Sequence, residues 1–406
     1  MIVSAMSLDK HYDVIIVGGA MAGATLALAL SDQTAGKIKV AVLEKQIAHQ
    51  HKQSGFDARC IALSDGSCQR LTQINLPNGQ TLWQQFQPIV TPIKKIHVSD
   101  KGHSGLTEFS AHEFDLSQLG GVIELQVAGK ILLNAMQQYP HIDYFAPVDI
   151  TNIEYDTNQV KISLKNDRTL STKLLVGADG TQSLVANAAK ISQKLVRQYN
   201  QTAIITNVLP QQAHQYRAFE RFTDEGPLAL LPMSNNLMSL VWCVQNPEKL
   251  MQCSETEFLV ALQHRFGWRL GKLLQCGQRF AYPLNLYQAE QHIQSRIALI
   301  GNAAQTLHPI AGQGFNLGIR DVMQLAKLVA TNYKTKQDIG DYQNLMPYER
   351  ARQQDQQQII NLTDSLLSIF ANNLLPLQIG RTLGLMALSQ SHLLRQYFAK
   401  PTLGWK

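Results

Sequence analysis

Cysteine is scarce in this chain and charge is thin. Its 406 residues include five cysteines, Cys60, Cys68, Cys243, Cys253 and Cys276, an odd number without a C-x-x-C pair. A disulfide framework or a zinc ribbon is therefore not expected, and a reducing, cytoplasmic compartment is the simpler inference. Charged residues make up only 16 %, and no basic run is longer than Lys94-Lys95. The formal charge of +6 is thus scattered, which argues against the basic stripe of a nucleic-acid binder and leaves a solvated surface that also suits anionic lipid headgroups. The twelve histidines show no metal-ligand spacing; His49 and His51 read as loop residues, and no metal is expected. What the chain does have is length and apolar content, 45 % hydrophobic, enough for two or three domains with a full core.

Val14 to Leu30 is an apolar or small-residue run of seventeen residues with three glycines. It is short for a membrane span, and Asp9 and Asp13 beside Lys10 do not make the positive flank of a signal peptide. Its punctuation explains it better. Tyr12 to Val17 reads as a buried strand, Gly18-Gly19-Ala20-Met21-Ala22-Gly23 as a phosphate-binding turn, the alanines that follow as a closely packed helix, and Lys39 to Leu43 as a second strand ending at Glu44. This βαβ unit approximates G-x-G-x-x-G. Gly18 allows the tight turn, position 20 the approach of backbone N–H groups to a pyrophosphate, and Gly23 the close packing of helix on strand. Ala20 replaces the middle glycine and fits only if its φ stays negative. Glu44, twenty-one residues beyond Gly23, lies where an acid binds ribose hydroxyls.

Two later segments carry related signals. Leu174 to Gly177 reads as a strand running into Asp179-Gly180 and Ser183, a pair that hairpin chemistry alone would also explain. Arg296 to Ile300 is another buried strand, opening into Gly301-Asn302 and then Gly312-Gln313-Gly314, with a helix predicted to begin near Asn316. Glycines ahead of a helix start make a backbone N–H concavity that suits the negative charge of a reduced flavin.

The stretch Gly301 to Asp321 resembles the signature of the flavin-dependent hydroxylases of ubiquinone biosynthesis, within the class A aromatic monooxygenases. Phe56 to Ser64, Val98 to His103, Arg217 to Phe222, Gly226 to Met233 and Thr402 to Trp405 resemble the same family, so the likeness extends over nearly the whole chain. It implies FAD as cofactor. The residues implied for its ADP half are Gly18, Ala20, Met21, Ala22, Gly23, Glu44 and Lys45, with Arg59 and Gln126 near the cofactor and Asp179 and Gly180 helping to hold it. Gly301, Asn302, Pro309, Gly312, Gly314, Phe315 and Asn316 are implied at the ribityl chain and flavin ring. The chain departs from the wider class at Asn302, an amide in place of a carboxylate, and at Ala186-Asn187, where the class has an arginine after its Asp-Gly motif. The second departure bears on the nicotinamide contact more than on the flavin.

The reaction implied is hydroxylation of the ring of a polyprenylated phenol, of the 2-polyprenyl-6-methoxyphenol type, with O2 and NAD(P)H through a flavin C4a-hydroperoxide. No side-chain nucleophile is required. His308, inside the flavin motif, is the one candidate for phenol deprotonation, and it would equally serve to orient the Pro309 loop. Alternatives are an FAD-dependent dehydrogenase or reductase of a polyprenyl or quinone substrate, and a flavin-binding member of a multi-enzyme assembly. The expected architecture is α/β: a discontinuous Rossmann-like FAD domain (1–90, 121–188 and 283–347), an inserted antiparallel-sheet substrate domain (91–120 and 189–282, including a strand from Ile93 to Val98) and a C-terminal helical region (348–406). That last region is strongly apolar from Ile359 to Leu375 and also carries Arg381, Arg395, Lys400 and Trp405. Its apolar residues read as core packing, or as a peripheral dock on the inner face of the cytoplasmic membrane or on other ubiquinone-biosynthesis proteins.

Overall fold

The computed structural model describes residues 9–46, 59–102, 105–306, 313–370, 384 and 387–405. Two large sheets organise them. The first has eight strands, and at its centre four run parallel: Ile297–Leu299, Thr169–Gly177, Asp9–Val17 and Val40–Leu43, with Ile142–Phe145 continuing the parallel order at the edge. Its apolar strands are buried on both faces, as a parallel sheet requires. One face, through Val14, Ile16, Val42 and Leu174, packs on the helices Met21–Gln33, Leu125–Met136 and Gln313–Lys334. The other, through Ile15, Val17, Leu175 and Leu299, packs on the short helix Leu184–Ala188 and the hairpin Ile150–Tyr155 and Val160–Leu164.

The seventeen-residue apolar run divides as its glycines dictate, into strand up to Val17 and helix from Met21. That helix is buried from Gly23 to Ser31, which explains its alanines: it is pressed between the sheet and a second helix. Thr25, Ser31 and Thr34 satisfy their hydroxyls within it by donating to the carbonyls four residues back.

The second sheet has nine strands, in the order Gln305–Thr306, Phe280–Ala289, Gln193–Pro210, Met238–Val244, Pro227–Pro232, Arg217–Phe222, Lys95–Asp100 and Leu106–Ser110, with Leu273–Cys276 off its main path. Helix Glu255–Phe266 covers one face, where Phe258, Leu262 and Phe266 meet Phe219, Leu230 and Trp242. A single strand from Ile93 to Val98 is not what forms. Thr91–Ile93 joins a small sheet with Gly120–Glu124 and Cys60–Ser64, whereas Lys95–Asp100 joins the large one and pairs in parallel with Arg217–Phe222. The break falls at Lys94, whose N–H is taken by Tyr216 O and whose carbonyl is taken by Ala111 N–H, so the ladder cannot run through it. The helix predicted to start near Asn316 begins earlier, at Gln313.

Helix Tyr342–Phe370 packs on Gln313–Lys334 through a buried charge network. Asp321, fully buried, accepts from Gly301 N–H at 2.9 Å and from Arg352 Nε at 2.6 Å. Arg352 also donates to Asp355, which in turn accepts from Arg320. Breaking such a pair from one side strands a buried charge. Arg352→Met should therefore lower unfolding free energy by about 3–5 kcal/mol in urea titration, and the further change Asp321→Asn should recover part of that loss.

Candidate active site

Three turns distant in sequence meet at one sheet edge. Leu299, Gly177, Val17 and Leu43 are neighbours in register, so the three turns that leave the first three of these strands, 300–304, 178–183 and 18–20, emerge side by side, with segment 44–46 beside them. The ladder continues one step into the turns: Gly18 N–H donates to Leu43 O, Ala178 N–H to Val17 O and Ile300 N–H to Gly177 O. A crevice outside the carboxyl ends of parallel strands is where α/β folds bind ligands.

The glycine turn is built for close approach. Gly18 has φ +100°, and a Cβ there would lie 2.4 Å from Ala178 O; a Cβ on Gly23 would lie 1.9 Å from Gly18 O. Ala20, by contrast, has φ −73°, so its methyl group costs nothing. It is also the N-cap of helix Met21–Gln33 and offers no side-chain cap, which leaves the first-turn N–H groups of Met21, Ala22 and Gly23 for an anion. Glu44 Oε2 accepts from Gly19 N–H at 2.7 Å and Oε1 from Gln46 N–H at 3.0 Å, holding the carboxylate over the glycine turn with lone pairs to spare.

Asp179 accepts from Leu184 N–H at 2.6 Å through Oδ2, while its buried Oδ1 has no partner among the described residues. Burial pushes this carboxyl up from the usual carboxylate range in spite of hydrogen bonds from Ser183 and the Val185 and Leu184 N–H groups. Beside it Gly180 has open space where a side chain would be. On the third turn Gly301 is fixed by its bond to Asp321, and Gly318 of the following helix passes close by it. An orphaned acceptor aimed at a groove, an uncapped helix start and an acid over a glycine turn together fit a dinucleotide that brings hydroxyls and a pyrophosphate.

These groups line one end of a cavity of about 1540 Å³. Gly18, Ala20, Met21, Ala22, Glu44, Lys45, Asp179, Gly180, Gly301, Asn302, Gly314, Phe315 and Asn316 all belong to its wall. Gly23 lies behind it, in the helix-to-strand contact. Arg59 stands just before the lining strand Cys60–Ser64, and Gln126 in the first turn of the helix that Leu125 opens onto the cavity. Asn316 has a second duty: its amide accepts from Ser64 N–H and donates to Ala62 O, tying that strand to the helix start. His308, Pro309 and Gly312 lie outside the described residues, as do His49 and His51.

The far end is different in kind. It is walled by one face of the nine-stranded sheet, including Ile96, Val98, Phe109, Ala218 and Leu231, and by Leu394, Phe398 and Leu403 of helix His392–Leu403. That helix is pinned by Glu113 to Arg395 and His392, and by Trp405 Nε1 to Asp65 Oδ2 at 2.8 Å. At about 1540 Å³ the cavity exceeds the roughly 300–1,000 Å³ of a site for one small ligand. It accommodates a cofactor and an apolar second molecule.

The FAD binding domain family matches residues 11–363. The chain belongs to that family. Among its relatives are ubiquinone hydroxylase UbiL of Rhodospirillum rubrum, 33 % identical over 98 % of this chain and 91 % of the relative, and the 3-demethoxyubiquinol 3-hydroxylase of Escherichia coli, 29 % identical over 98 % and 99 %. In fold it is similar to the p-nitrophenol 4-monooxygenase PnpA of Pseudomonas putida, with a TM-score of 0.79 at 15 % identity over 98 % of this chain and 99 % of that one. FAD is the cofactor and the chain is an FAD-dependent monooxygenase.

Sequence reasoning missed Asp321 as the anchor of the Gly301 turn, the cavity wall supplied by the C-terminal helix, and Glu220, a carboxyl on the sheet wall. Only Glu220 left a signal, a charge on the same strand face as Ala218 and Phe222.

Two outcomes test the cofactor end. Glu44→Ala should remove charge-assisted bonds worth about 1.5–3 kcal/mol, raising the FAD dissociation constant roughly ten- to a hundredfold in a fluorescence titration. A hydroxyl donated to Asp179 Oδ1 favours its ionised form, so FAD affinity should be full above the raised Asp179 pKa and weaken as pH falls through it. Asp179→Asn should abolish that pH dependence.

Proposed function

We propose that this protein hydroxylates the aromatic ring of a polyprenylated phenol in ubiquinone biosynthesis, using O2 and NAD(P)H. The observation that carries this reading is the single cavity whose one end has the dinucleotide turns and whose other end is an apolar sheet face. In this reading the segments 1–90, 121–188 and 283–347 carry the cofactor, and 91–120 and 189–282 the substrate. Glu44 takes the ribose hydroxyls, the N–H groups of Met21 to Gly23 the pyrophosphate, Asp179 and Asn302 hydroxyls of the ribityl chain, and the start of helix Gln313–Lys334 the flavin ring. Reduced FAD supplies the activation of O2, which no side chain provides. The protein's own tasks are to hold the ring against the cofactor and to keep water from it, and the apolar wall serves both.

A prenyl tail needs a route to that wall. On helix His392–Leu403 the pair Leu394 and Phe398 reaches the cavity, while Leu393 and Tyr397, about 75 % exposed, form an adjacent stripe one residue round the helix. Among the described residues no helix is long and apolar enough to cross a membrane. The stripe supports docking of this helix on a bilayer surface beside the cavity mouth, from which a lipid-dissolved phenol enters.

Incubating the FAD-loaded protein with a short-chain 2-prenyl-6-methoxyphenol, O2 and NAD(P)H should give a product heavier by one oxygen atom, detected by mass spectrometry. Flavin reduction without that product would favour a dehydrogenase. For the docking, Leu393→Glu with Tyr397→Glu should abolish co-sedimentation with liposomes while FAD content is kept. Unchanged sedimentation would reject the docking, and a parent protein that binds no vesicles would point to substrate delivery by a partner protein.

A further inference from the structure

We infer that Glu220 is a catalytic residue of the substrate end, accepting the phenolic proton of the bound ring and returning it. This rests on the hydroxylase reading above. The argument begins with register. Ile205, Val241, Ala229, Glu220, Val98 and Thr107 are successive partners across five strand pairings, and all six line the cavity. Five of the six are uncharged, and four of those are aliphatic. On the strand's alternate face Phe219 touches the cavity wall but packs its ring on Phe266, and Arg221 donates to Arg265 O and Ser99 Oγ. Glu220 is thus the one side chain of that row able to exchange a proton at ordinary pH, and it faces the space a ring must occupy.

Its surroundings leave it unpaired. The carboxyl is half-buried and faces the cavity, and no hydrogen bond or ion pair to it is made by the described residues, so a ligand there can take it as a partner. Of the titratable groups near it, the Cys243 thiol is coupled to Glu220 and is itself pushed up by burial and by that carboxyl. Asp100 lies on the next strand beside Phe222. The remaining titratable groups of the cavity wall are Cys60 and Tyr287, with Glu44, Lys45, Asp149 and Asp179 at the nucleotide end. No cation among these stands beside Glu220, and burial pushes its carboxyl up to about 7. A general base is most effective with a pKa near the working pH.

The proton balance closes. As the ring carbon gains its oxygen, the phenolic O–H bond breaks, its proton moves to Glu220, and its electron pair enters the ring to give a dienone. Rearomatisation breaks the C–H bond at the hydroxylated carbon and sends that proton to solvent, while the former phenolic oxygen takes its proton back from Glu220. The carboxylate ends as it began, and O2 and NAD(P)H remain the oxidant and reductant of the monooxygenase reaction.

The test uses the full-length, FAD-loaded protein with two ligands, the short-chain 2-prenyl-6-methoxyphenol and its O-methyl ether, which lacks the proton. Dissociation constants measured without reductant should favour the phenol over the ether in the parent and lose that preference in Glu220→Gln. In turnover the parent's kcat should rise with pH through an apparent pKa near 7. Glu220→Gln should lose this limb and roughly 10²–10⁴-fold in kcat, with KM little changed, and Glu220→Asp should keep a shifted limb. Folding is checked independently. Because burial raises the folded pKa, the stability conferred by the protonated form is lost as pH rises through about 7, so Glu220→Gln should melt above the parent at pH 8 and level with it near pH 5. Equal phenol preference and an unchanged pH limb in Glu220→Gln would overturn the proposal. A parent that binds the phenol selectively through Glu220 yet forms no oxygenated product would instead overturn the hydroxylase reading and leave the contact standing.

Discussion

The close approach of three backbone turns at the carboxyl edge of the parallel sheet is the constraint on which the rest depends. Gly18 leaves no room for a side chain against Ala178 O, and Gly23 none against Gly18 O. Helix Met21–Gln33 therefore sits as near its strand as backbone atoms permit, and its uncapped start is aimed along the groove between the turns. Were that helix held off by a methyl group, its N–H groups and the Glu44 carboxylate would no longer face the same ligand. The affinity of the site is thus set by packing behind it as much as by the atoms that line it.

A second layer holds the third turn. Gly301 is far from Gly18 in sequence, and its position is secured from behind by Asp321, which is secured in turn by Arg352 of the following helix. Asn316 fastens the start of the same helix to the strand Cys60–Ser64, another cavity wall. The C-terminal residues close the arrangement, since Trp405 reaches Asp65 at the end of that strand and Arg70 reaches Gly404 O. Residues remote from any ligand in this way fix the distance between the cofactor turns and the substrate wall, and a change in Asp321 or Trp405 would be felt as misalignment.

The cofactor end was largely legible in the sequence because its signals are local. A strand, a glycine turn, a small-residue helix and an acid some twenty residues on are neighbours in the chain, and Ala20 could be judged from its need for negative φ alone. The substrate end was not legible, because it is assembled by register. Which face of the sheet Glu220 presents beside Val98 depends on a pairing between strands more than a hundred residues apart, and the break at Lys94 depends on hydrogen bonds to Tyr216 and Ala111. Asn316 was visible as part of a motif, but its bonds to Ala62 and Ser64 are a tertiary fact that no spacing encodes.

The two ends of the cavity make opposite electrostatic demands. At the nucleotide end the wall carries backbone N–H groups, Glu44, Lys45 and Asp179, polar groups that water can also satisfy. At the sheet end a charge is less well accommodated, and among the described residues one carboxyl lines that wall. An apolar wall with no polar group would hold a prenylated ring equally well in many rotations, since dispersion contacts are weakly directional. A single hydrogen-bonding group breaks that degeneracy, because one orientation of the ring pairs the half-buried carboxyl with the phenolic hydroxyl while every other leaves the hydroxyl against apolar side chains. The half-buried Glu220 carboxyl therefore gives the filled site its preference for one pose, and that pose decides which ring carbon is turned toward the cofactor.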